Sequence, residues 1–272
     1  MAIVCDVVTD VRIMKEIVLL QKEVWGAESV TSMPQMIAAI HHGGAVIAAF
    51  DEGKVVGFCY GFPGHSAGKT YLFSHMMAIH PDYRDEGLGQ SLKERQRLWA
   101  IAYGYDKIAW TFDPLETRNA HLNLNKLGGI VKVYLTNYYG ELNDSMAGSF
   151  PSDRFLVEWE LYSPRSEIAI KHGITADETI WSAYDFLFEW QLEGAFPRPC
   201  PATFHPTADA YLVPVPNSIR DMKQSAPELA KTWRFELRRQ LTQSFAQGYC
   251  VVGLWRTEQP VHYYVLEKKQ FE

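Results

Sequence analysis

A predicted strand and the glycine-bearing turn that follows it contain residues that could do chemistry. Residues 70–79 are an apolar run that Pro81 ends, and Arg84, Gly87 and Gly89 follow at the start of a long amphipathic segment. Proline cannot donate a hydrogen bond to a neighbouring strand. A strand, a glycine turn and a helix N-terminus together present backbone N–H groups to an anion. The stretch therefore predicts a site for a phosphate-like group.

Two common phosphate-binding motifs do not fit this turn. The Walker motif needs a lysine directly after its last glycine, but Gln90 follows Gly89. The dinucleotide motif needs a third glycine three residues after the second, where Leu92 stands. What remains is the pattern Arg-x-x-Gly-x-Gly, at Arg84, Gly87 and Gly89. The alternative is an ordinary strand-to-helix turn whose glycines serve only the backbone.

This pattern, with the apolar strand and the His80-Pro81 pair before it, resembles the pyrophosphate-binding motif of the GNAT superfamily of acyl-CoA-dependent N-acyltransferases. The resemblance covers roughly residues 3–162. It implies an α/β (α+β) fold with a mixed central sheet flanked by helices. It also implies acetyl-CoA or another acyl-CoA as cofactor, and a splayed pair of strands that admits the pantetheine arm. The cofactor-binding residues it implies are Met77, Ala78, Ile79, Arg84, Glu86, Gly87, Leu88, Gly89, Gln90 and Asn119.

An N-acyltransferase needs a base for the acceptor ammonium and donors for the oxyanion that develops at the thioester carbonyl. The backbone around Met77 is the predicted oxyanion donor. His75 is the first candidate for the base, because the unperturbed pKa of histidine is about 6.5. Strict alternation places His75 on the same strand face as Met77, whereas a β-bulge would invert it. The alternative for His75 is a core histidine bonded to a neighbour.

Two further charged residues are candidates for binding the acceptor. Asp113 ends the next predicted strand and could be a second base or an ammonium binder, or simply a turn aspartate before Pro114. Arg154 ends a long loop that borders the acceptor pocket in the GNAT fold. Arginine binds carboxylates bidentately, so Arg154 could anchor an amino-acid-like acceptor. The alternative is a surface ion pair between Asp153 and Arg154.

The sequence departs from the family at its last motif. Aligned on Ala120 and Gly128, the chain has Thr117 in place of the family asparagine and Leu124 in place of the tyrosine that usually acts as general acid. Asn119 is a pantetheine or substrate contact shifted from the family position, or a solvated helix residue. This region also resembles a bacterial branch of predicted GNAT acetyltransferases, some thought to acylate amino acids, including with succinyl groups. The resemblance rests on residues 110–115, 118–120 and 126–128.

The bulk composition narrows the class of protein. The chain has 272 residues, 47% of them hydrophobic, which is enough for one large or two small domains. The net charge is −6 without a basic run, so we expect no nucleic-acid partner. We expect no metal, because the four cysteines are scattered, and no membrane partner, because no apolar run is long enough. The sequence favours a cytoplasmic protein and leaves a homo-oligomer open.

The predicted elements place the motifs in one order. The front part reads strand, helix, helix, strand, strand, key strand, helix, strand, helix, strand, strand. After residue 163 a tail follows whose last four elements read strand, helix, strand, strand, and this resembles a partial second GNAT unit or is a plain α/β appendage. We predict two domains, a GNAT acyltransferase domain at 1–163 and a C-terminal α/β extension at 164–272 packed on the first. The tail elements are predicted at 211–215, 225–247, 249–254 and 262–266.

These patterns favour an enzyme that moves an acetyl group, or another acyl group such as succinyl, from CoA to the amine of a small acceptor, an amino acid among the candidates. The second hypothesis is a catalytically degenerate CoA-binding sensor or scaffold, which the missing tyrosine and the absence of a glutamate on the key strand favour. A third is a transferase acting on a large acceptor such as an aminoacyl-tRNA, and the acidic net charge argues against it.

Overall fold

The structure is a computed structural model that describes residues 3–144, 148–175, 178–203 and 206–268. The chain forms two compact units, residues 1–110 with 159–164 and residues 111–158 with 165–272. This division does not coincide with the boundary predicted at 163/164. The physical reason is that the strand at 249–255 pairs with the strand at 130–135, through Val251 and Val131. Residues 111–158 therefore pack with the C-terminal part of the chain.

The first unit is a sheet between helices. Its strands follow the order β1-β2-β3-β4-β5, antiparallel except for the parallel pair β4 and β5. Helices α1 and α2 pack on one face and α3 packs on the other. In chain order the elements are β1 (Val4–Val7), α1 (Val11–Trp25), α2 (Met33–His41), β2 (Ala45–Asp51), β3 (Lys54–Ser66), β4 (Lys69–Ile79), α3 (Leu88–Tyr103) and β5 (Lys107–Phe112), the last two residues of β5 belonging to the second unit.

The helix boundaries of the first unit follow from local chemistry. The Asp10 carboxylate accepts the Arg12 N–H at the start of α1, and the Ser32 hydroxyl accepts the Gln35 N–H at the start of α2. Gly87 and Gly104 flank α3 with φ of 79° and 104°. These left-handed values favour glycine, because a β-carbon there crowds the following carbonyl.

Strand β4 is paired unequally on its two edges. Residues 69–79 pair with β3 along the whole strand, whereas the parallel pairing with β5 is limited to Leu72 with Ile108 and Phe73 with Ala109 among the described residues. The ladder between β4 and β5 thus stops at Phe73 on the β4 side. This is the separation of strands that the family resemblance implied.

The second unit is built on a sheet of order β9-β6-β14-β15-β13-β10, antiparallel except for the pair β13 and β10. Two hairpins, β7 with β8 and β11 with β12, accompany it. The last two residues of β9 belong to the first unit. Its elements are α4 (Thr117–Ala120), β6 (Ile130–Leu135), β7 (Glu141–Asp144), β8 (Gly148–Pro151), β9 (Arg154–Glu160), α5 (Pro164–His172), α6 (Glu178–Trp181), β10 (Asp185–Phe186), β11 (Trp190–Glu193), β12 (Phe196–Pro199), β13 (Ala210–Pro216), α7 (Ile219–Ser225), α8 (Pro227–Ala246), β14 (Tyr249–Trp255) and β15 (Val261–Lys268).

Two features of the second unit refine the predictions. The helix predicted over 117–127 is an α-helix only to Ala120 and then winds as a π-helix over His121–Lys126. The predicted strand, helix, strand, strand order of the tail is present as β13, α8, β14 and β15, with α7 added before α8. Its relation to a second GNAT unit stays a prediction. Within the described residues, the helices are all too short or too polar to cross a bilayer.

Helix α8 fills the core of the second unit with residues spaced by four. Leu229, Trp233, Leu237 and Leu241 are buried at this spacing, as the sequence predicted. Arg234 is also fully buried, and its Nη2 donates to both carboxylate oxygens of Asp113 at 2.7 and 2.6 Å. Because each charge would be costly to bury alone, the pair must form for the core to close.

A buried cation also lies in the first unit. Lys93 of α3 is 2% exposed, its Nζ donates to the Ser74 hydroxyl at 2.7 Å, and it lies 3.9 Å from the centroid of the Trp110 ring. Burial lowers the pKa of Lys93 from 10.5 to about 8. No carboxylate contacts Lys93 in the described part of the chain, so burial of its charge destabilises the fold at neutral pH.

We expect Lys93→Met to raise the free energy of unfolding at pH 7, by up to about 3 kcal/mol. The unfolded chain binds the Lys93 proton more tightly than the folded chain does. The free-energy cost of burying the charged side chain is therefore fully present below pH 8 and disappears as the pH rises from about 8 to 10.5. Urea unfolding at pH 7 and pH 10.5 measures the difference, with exposed Lys15→Met as the matched control. A lower unfolding free energy of Lys93→Met at pH 7 would contradict this reading.

We expect Asp113→Asn to lower the free energy of unfolding by about 3–5 kcal/mol, because it leaves the Arg234 charge buried without a carboxylate. Burial by itself raises the pKa of Asp113, but the Arg234 charge and hydrogen bonds outweigh it and hold the pKa below 3.8. The stabilisation is therefore present at neutral pH and is lost as the pH falls through that lowered value. The control is Asp10→Asn, since Asp10 pairs with Arg12 at the surface and asparagine also caps helices. Equal stability of the two variants would refute a structural role for the buried pair.

Candidate active site

The turn before α3 presents unpaired backbone N–H groups. The N–H groups of Gln90 and Ser91 bond back to the Gly87 carbonyl at 3.0 and 3.2 Å, whereas those of Leu88 and Gly89 precede any intrahelical acceptor. Gly87 is exposed, and a β-carbon built on it would meet nothing within 4 Å. The helix dipole adds partial positive charge at this end. The turn is thus open and polarised for an anion, and the assignment of Arg84, Glu86 and the residues that follow to an anion site stays a prediction.

The open edge of β4 lies on the same unit as this turn. The His80 N–H bonds to the Val56 carbonyl on the β3 side at 2.9 Å, so alternation in the antiparallel ladder turns the N–H and C=O of Met77 and Ile79 away from β3. Arg84 agrees with this direction, because its Nε donates to the Ile79 carbonyl at 3.3 Å. The Met77 N–H therefore faces the edge where the pairing with β5 has stopped.

His75 lies in a β-bulge. Tyr60 is paired with Met76 and Gly61 with Ser74, which leaves His75 as the extra residue of β4. Its ring centroid lies 6.3 Å from that of Tyr60 and 5.6 Å from that of Phe62, on the face that α1 and α2 cover. Met77 packs instead on the α3 face with Cys59 and Leu92. The bulge therefore inverts the alternation, which was the second of the two alternatives that the sequence left open, and His75 and Met77 lie on opposite faces.

The environment of His75 disfavours its charged form. Its side chain is exposed at one side, while the rings of Tyr60, Phe62 and Phe73 cover the other. This partial burial lowers the pKa of His75 below 6.5. The His75 ring forms no hydrogen bond with the described residues. At neutral pH the imidazole is therefore neutral and able to accept a proton.

Asp113 and Arg154 lie together in the second unit. The Arg154 Nη1 is 4.0 Å from Asp113 Oδ2 and donates to the main-chain oxygen of Asp153 at 3.0 Å. Asp113 also accepts the Leu115 N–H at 2.8 Å, the turn contact that the alternative reading of this residue expected. Arg234 donates to both carboxylate oxygens of Asp113, and the pKa of Asp113 lies below 3.8. Asp113 is therefore a poor base at neutral pH. The arrangement favours a structural role for Asp113.

Asp153 is fully buried and does not form the surface ion pair with Arg154 that was the alternative for that dipeptide. Its carboxylate accepts from Arg238 at 2.8 and 2.7 Å and from the Tyr134 hydroxyl at 2.7 Å. Arg154, with 18% of its side chain exposed, lies 5.3 Å from the centroid of the Tyr139 ring. Arg154, Arg234 and Arg238 thus share two carboxylates, which leaves one positive charge in excess.

The helix after β5 gives a mixed result. Asn119 is exposed on α4, as either of its two readings allows. Leu124, which stands at the position of the family tyrosine, is fully buried in the second unit. The chain therefore has no hydroxyl at that position, and Tyr134 is no simple replacement because burial raises its pKa above 10.0.

Several site residues escaped the sequence analysis. Arg234 and Arg238 each follow a core position of α8, Trp233 and Leu237, so the apolar pattern predicts both at the surface. Lys93 is likewise buried, although lysine is almost always a surface residue. The one available signal was the spacing of four between Arg234 and Arg238, which puts both guanidinium groups on one side of the helix.

Comparisons with known proteins agree with this architecture. Residues 12–128 match the sequence model of the Acetyltransferase (GNAT) family. A search of curated proteins found no match. An N-acetyltransferase structure from Staphylococcus aureus Mu50 has 16% identity and a TM-score of 0.50, covering 59% of this chain and 99% of its own. A Sinorhizobium meliloti phosphinothricin acetyltransferase in complex with AcCoA has 16% identity and a TM-score of 0.49, covering 58% and 88%. The acetyltransferase yncA of Salmonella typhimurium, solved with acetyl-CoA, has 15% identity and a TM-score of 0.48, covering 60% and 98%.

The Staphylococcus structure supports the fold alone, since its identity is low, and the sequence model identifies the family of the matched segment. The Staphylococcus structure agrees with the mixed sheet flanked by helices. The fold class predicted from the sequence is confirmed, and residues 12–128 match the sequence model of the GNAT acetyltransferase family.

Proposed function

We propose that this protein moves an acyl group from a CoA thioester to the amine of a small acceptor that also carries a carboxylate, such as an amino acid. The observation that carries the proposal is the open, polarised turn at Gly87 beside the unpaired edge of β4. Arg84, Glu86, Gly87, Leu88, Gly89 and Gln90 would hold the pyrophosphate, mainly through backbone N–H groups. A CoA thioester, when bound, supplies an activated acyl group with a thiolate leaving group.

The main chain of β4 would orient the acyl donor. Met77 and Ile79 turn their N–H and C=O groups toward the edge where β5 is no longer paired, so these groups can bond to an extended chain such as pantetheine. The Met77 N–H is our candidate donor to the carbonyl oxygen on which negative charge develops. A fixed backbone dipole stabilises such charge without reorganisation during the reaction.

His75 is the candidate base. His75 does not share a face with Met77, so its position in the bulge is what supports this role. The extra residue of a bulge is held out of the ladder, here beside the open stretch of β4. Its neutral imidazole forms no competing hydrogen bond with the described residues. It can take the proton from an acceptor ammonium at neutral pH. Asn119 and Asp113 are not assigned a step.

The acceptor carboxylate would bind at Arg154. This guanidinium lies 4.0 Å from its nearest carboxylate, Asp113, whose two oxygens are already held by Arg234. The surplus positive charge of the three arginines favours an anionic acceptor group. The succinyl group and the acetyl group remain the two acyl candidates.

The second candidate function is a CoA-binding protein that does not catalyse transfer. The buried Leu124 favours it, since the residue at the place of the usual general acid cannot donate a proton. Thiol release from acetyl-CoA and succinyl-CoA in the presence of an amino-acid panel separates the two functions. Turnover supports the enzyme, whereas CoA binding measured by calorimetry without thiol release with any amine supports the sensor or scaffold.

We expect His75→Asn to lower kcat at least about 100-fold at neutral pH, because general-base catalysis contributes about that much or more. In the unaltered protein kcat/KM should fall with acidification, with a midpoint below pH 6.5, since burial lowers the pKa of His75. Stopped-flow or steady-state thiol release between pH 5 and pH 9 measures both. His65→Asn, an exposed histidine of β3, is the matched control. Full activity of His75→Asn would remove the assignment of the base.

We expect Arg154→Ala to raise KM for an amino-acid acceptor at least about 10-fold, because a charge-assisted contact to a carboxylate contributes about 1.5–3 kcal/mol. The same variant should keep its KM for the corresponding amine that lacks the carboxylate. The control is Arg12→Ala, since Arg12 is exposed on α1. An equal change with both acceptors would show that Arg154 acts on the fold and does not bind the carboxylate.

A further inference from the structure

A second concave site lies within the second unit. It is a cavity of about 310 Å³ between the π-helical turn His121–Lys126, the segment that follows α5 and the end of β14. Trp255 and Leu254 give it an apolar wall, and His172 and Thr175 lie at its rim. None of the residues used above for acyl transfer lines it.

The charged side chains that line the cavity are cationic. Lys126 and Arg256 are both exposed residues of its wall, and neither forms an ion pair or hydrogen bond within the described parts of the chain. The Lys126 Nζ lies beside Gly173, 3.8 Å from where a β-carbon on that glycine would stand. Two positive charges therefore line one cavity, in a chain whose net charge is −6. An anion in the cavity would be attracted to both of them.

One of the residues that line the cavity carries a buried ring nitrogen without a partner. His121 Nδ1 is buried and has no hydrogen-bond partner in the described part of the structure. An unsatisfied buried polar atom is costly, so a small shift of the ring that brings Nδ1 to a ligand or water in the cavity would be favourable. Burial, together with the charges of Arg256, Lys126 and His262, lowers the pKa of His121 to about 4. The neutral ring can carry its proton on Nδ1 and donate it.

The π-helical winding is what brings these groups to one wall. The Leu127 N–H bonds to the Leu122 carbonyl at 3.0 Å, a spacing of five residues. In such a wide turn, residues four and five apart lie on the same side, so His121, Asn125 and Lys126 all line the cavity. In a regular α-helix, Lys126 would turn away from His121. Asn125 fixes the turn by bonding to the carbonyl and N–H of Leu254, at 3.2 and 2.9 Å.

We infer that this cavity is a binding site for a small oxyanion, a molecule with a phosphate or carboxylate group held by Lys126, Arg256 and His121. The guanidinium and ammonium groups would neutralise the charge, and His121 Nδ1 would donate the hydrogen bond it lacks. The apolar wall at Trp255 leaves room for a short organic group next to the anion. A metal site fits less well, since the described residues contain no group of three His, Cys, Asp or Glu side chains close enough to share an ion.

The test is calorimetric titration of the full chain at pH 7 and constant ionic strength, with inorganic phosphate and with succinate as separate probes. We expect saturable binding of at least one probe, with affinity reduced at least 10-fold in Lys126→Met and in Arg256→Gln. Lys15→Met and Arg12→Gln, exposed cations of α1, are the matched controls and should bind as the unaltered chain does. Tighter binding of phosphate identifies a phosphate ligand, and tighter binding of succinate identifies a carboxylate ligand.

A second measurement keeps the inference testable if a variant folds poorly. The ¹⁵N chemical shift of His121 Nδ1 in the unaltered protein should move on addition of the bound probe, because the atom gains a hydrogen bond. Lack of saturable binding by either probe would overturn the inference. Equal loss of affinity in the site and control variants would do the same, and so would an unchanged His121 signal at saturation. Neither measurement uses acyl transfer, so its result does not depend on the function proposed above.

Discussion

A strand inside a sheet must pair the N–H and C=O groups of both edges, and β4 meets this requirement on one edge only. It follows β3 over its whole length but leaves β5 after Leu72 and Phe73. Unpaired backbone groups are costly unless another partner satisfies them. The edge at Met77 and Ile79 is therefore a permanent acceptor and donor surface within the first unit. The glycine turn and the N-terminus of α3 add unpaired N–H groups to the same unit, and these two features together are the cofactor site that we propose.

Buried charge is handled differently in the two units. In the second unit, Arg234 and Asp113 bond to each other, and Asp153 bonds to Arg238 and Tyr134, so that each buried carboxylate has a guanidinium partner. In the first unit, Lys93 is satisfied by a hydroxyl and an aromatic ring without a carboxylate. The pairs hold their carboxylates ionised, whereas the lysine becomes easier to deprotonate. The arginine cluster combines rigidity with a surplus positive charge, which suits the recognition of an anionic group.

The cavity of the second unit is lined by positive charges that no carboxylate of the described residues neutralises. Lys126 and Arg256 pair with no carboxylate of the described residues, and His121 has a buried ring nitrogen without a partner among them. Structural arginines in this unit are neutralised by Asp113 and Asp153, so the contrast lies between paired charges in the core and unpaired charges around a cavity. That contrast is why we assign the cavity to a ligand and the core pairs to the fold.

The sequence by itself determined the elements and the cofactor turn. The helix starts at Asp10 and Ser32, the glycine after α1 and the residues flanking α3 act through contacts within a few residues, so local chemistry was enough. The pattern at Arg84, Gly87 and Gly89 indicated the family for the same reason, and the four-residue spacing of α8 predicted its buried face.

Only the tertiary structure decided which side chains meet. The bulge at His75 depends on the register between β3 and β4, and a shift of one residue inverts the face on which His75 lies. Arg234 is buried because Asp113, more than a hundred residues earlier in the chain, neutralises it, so a hydropathy pattern places it at the surface. The π-helical turn that gathers His121 and Lys126 is fixed by Asn125 bonding to β14. In each case the deciding interaction joins residues distant in sequence, and its free energy outweighs the local preference.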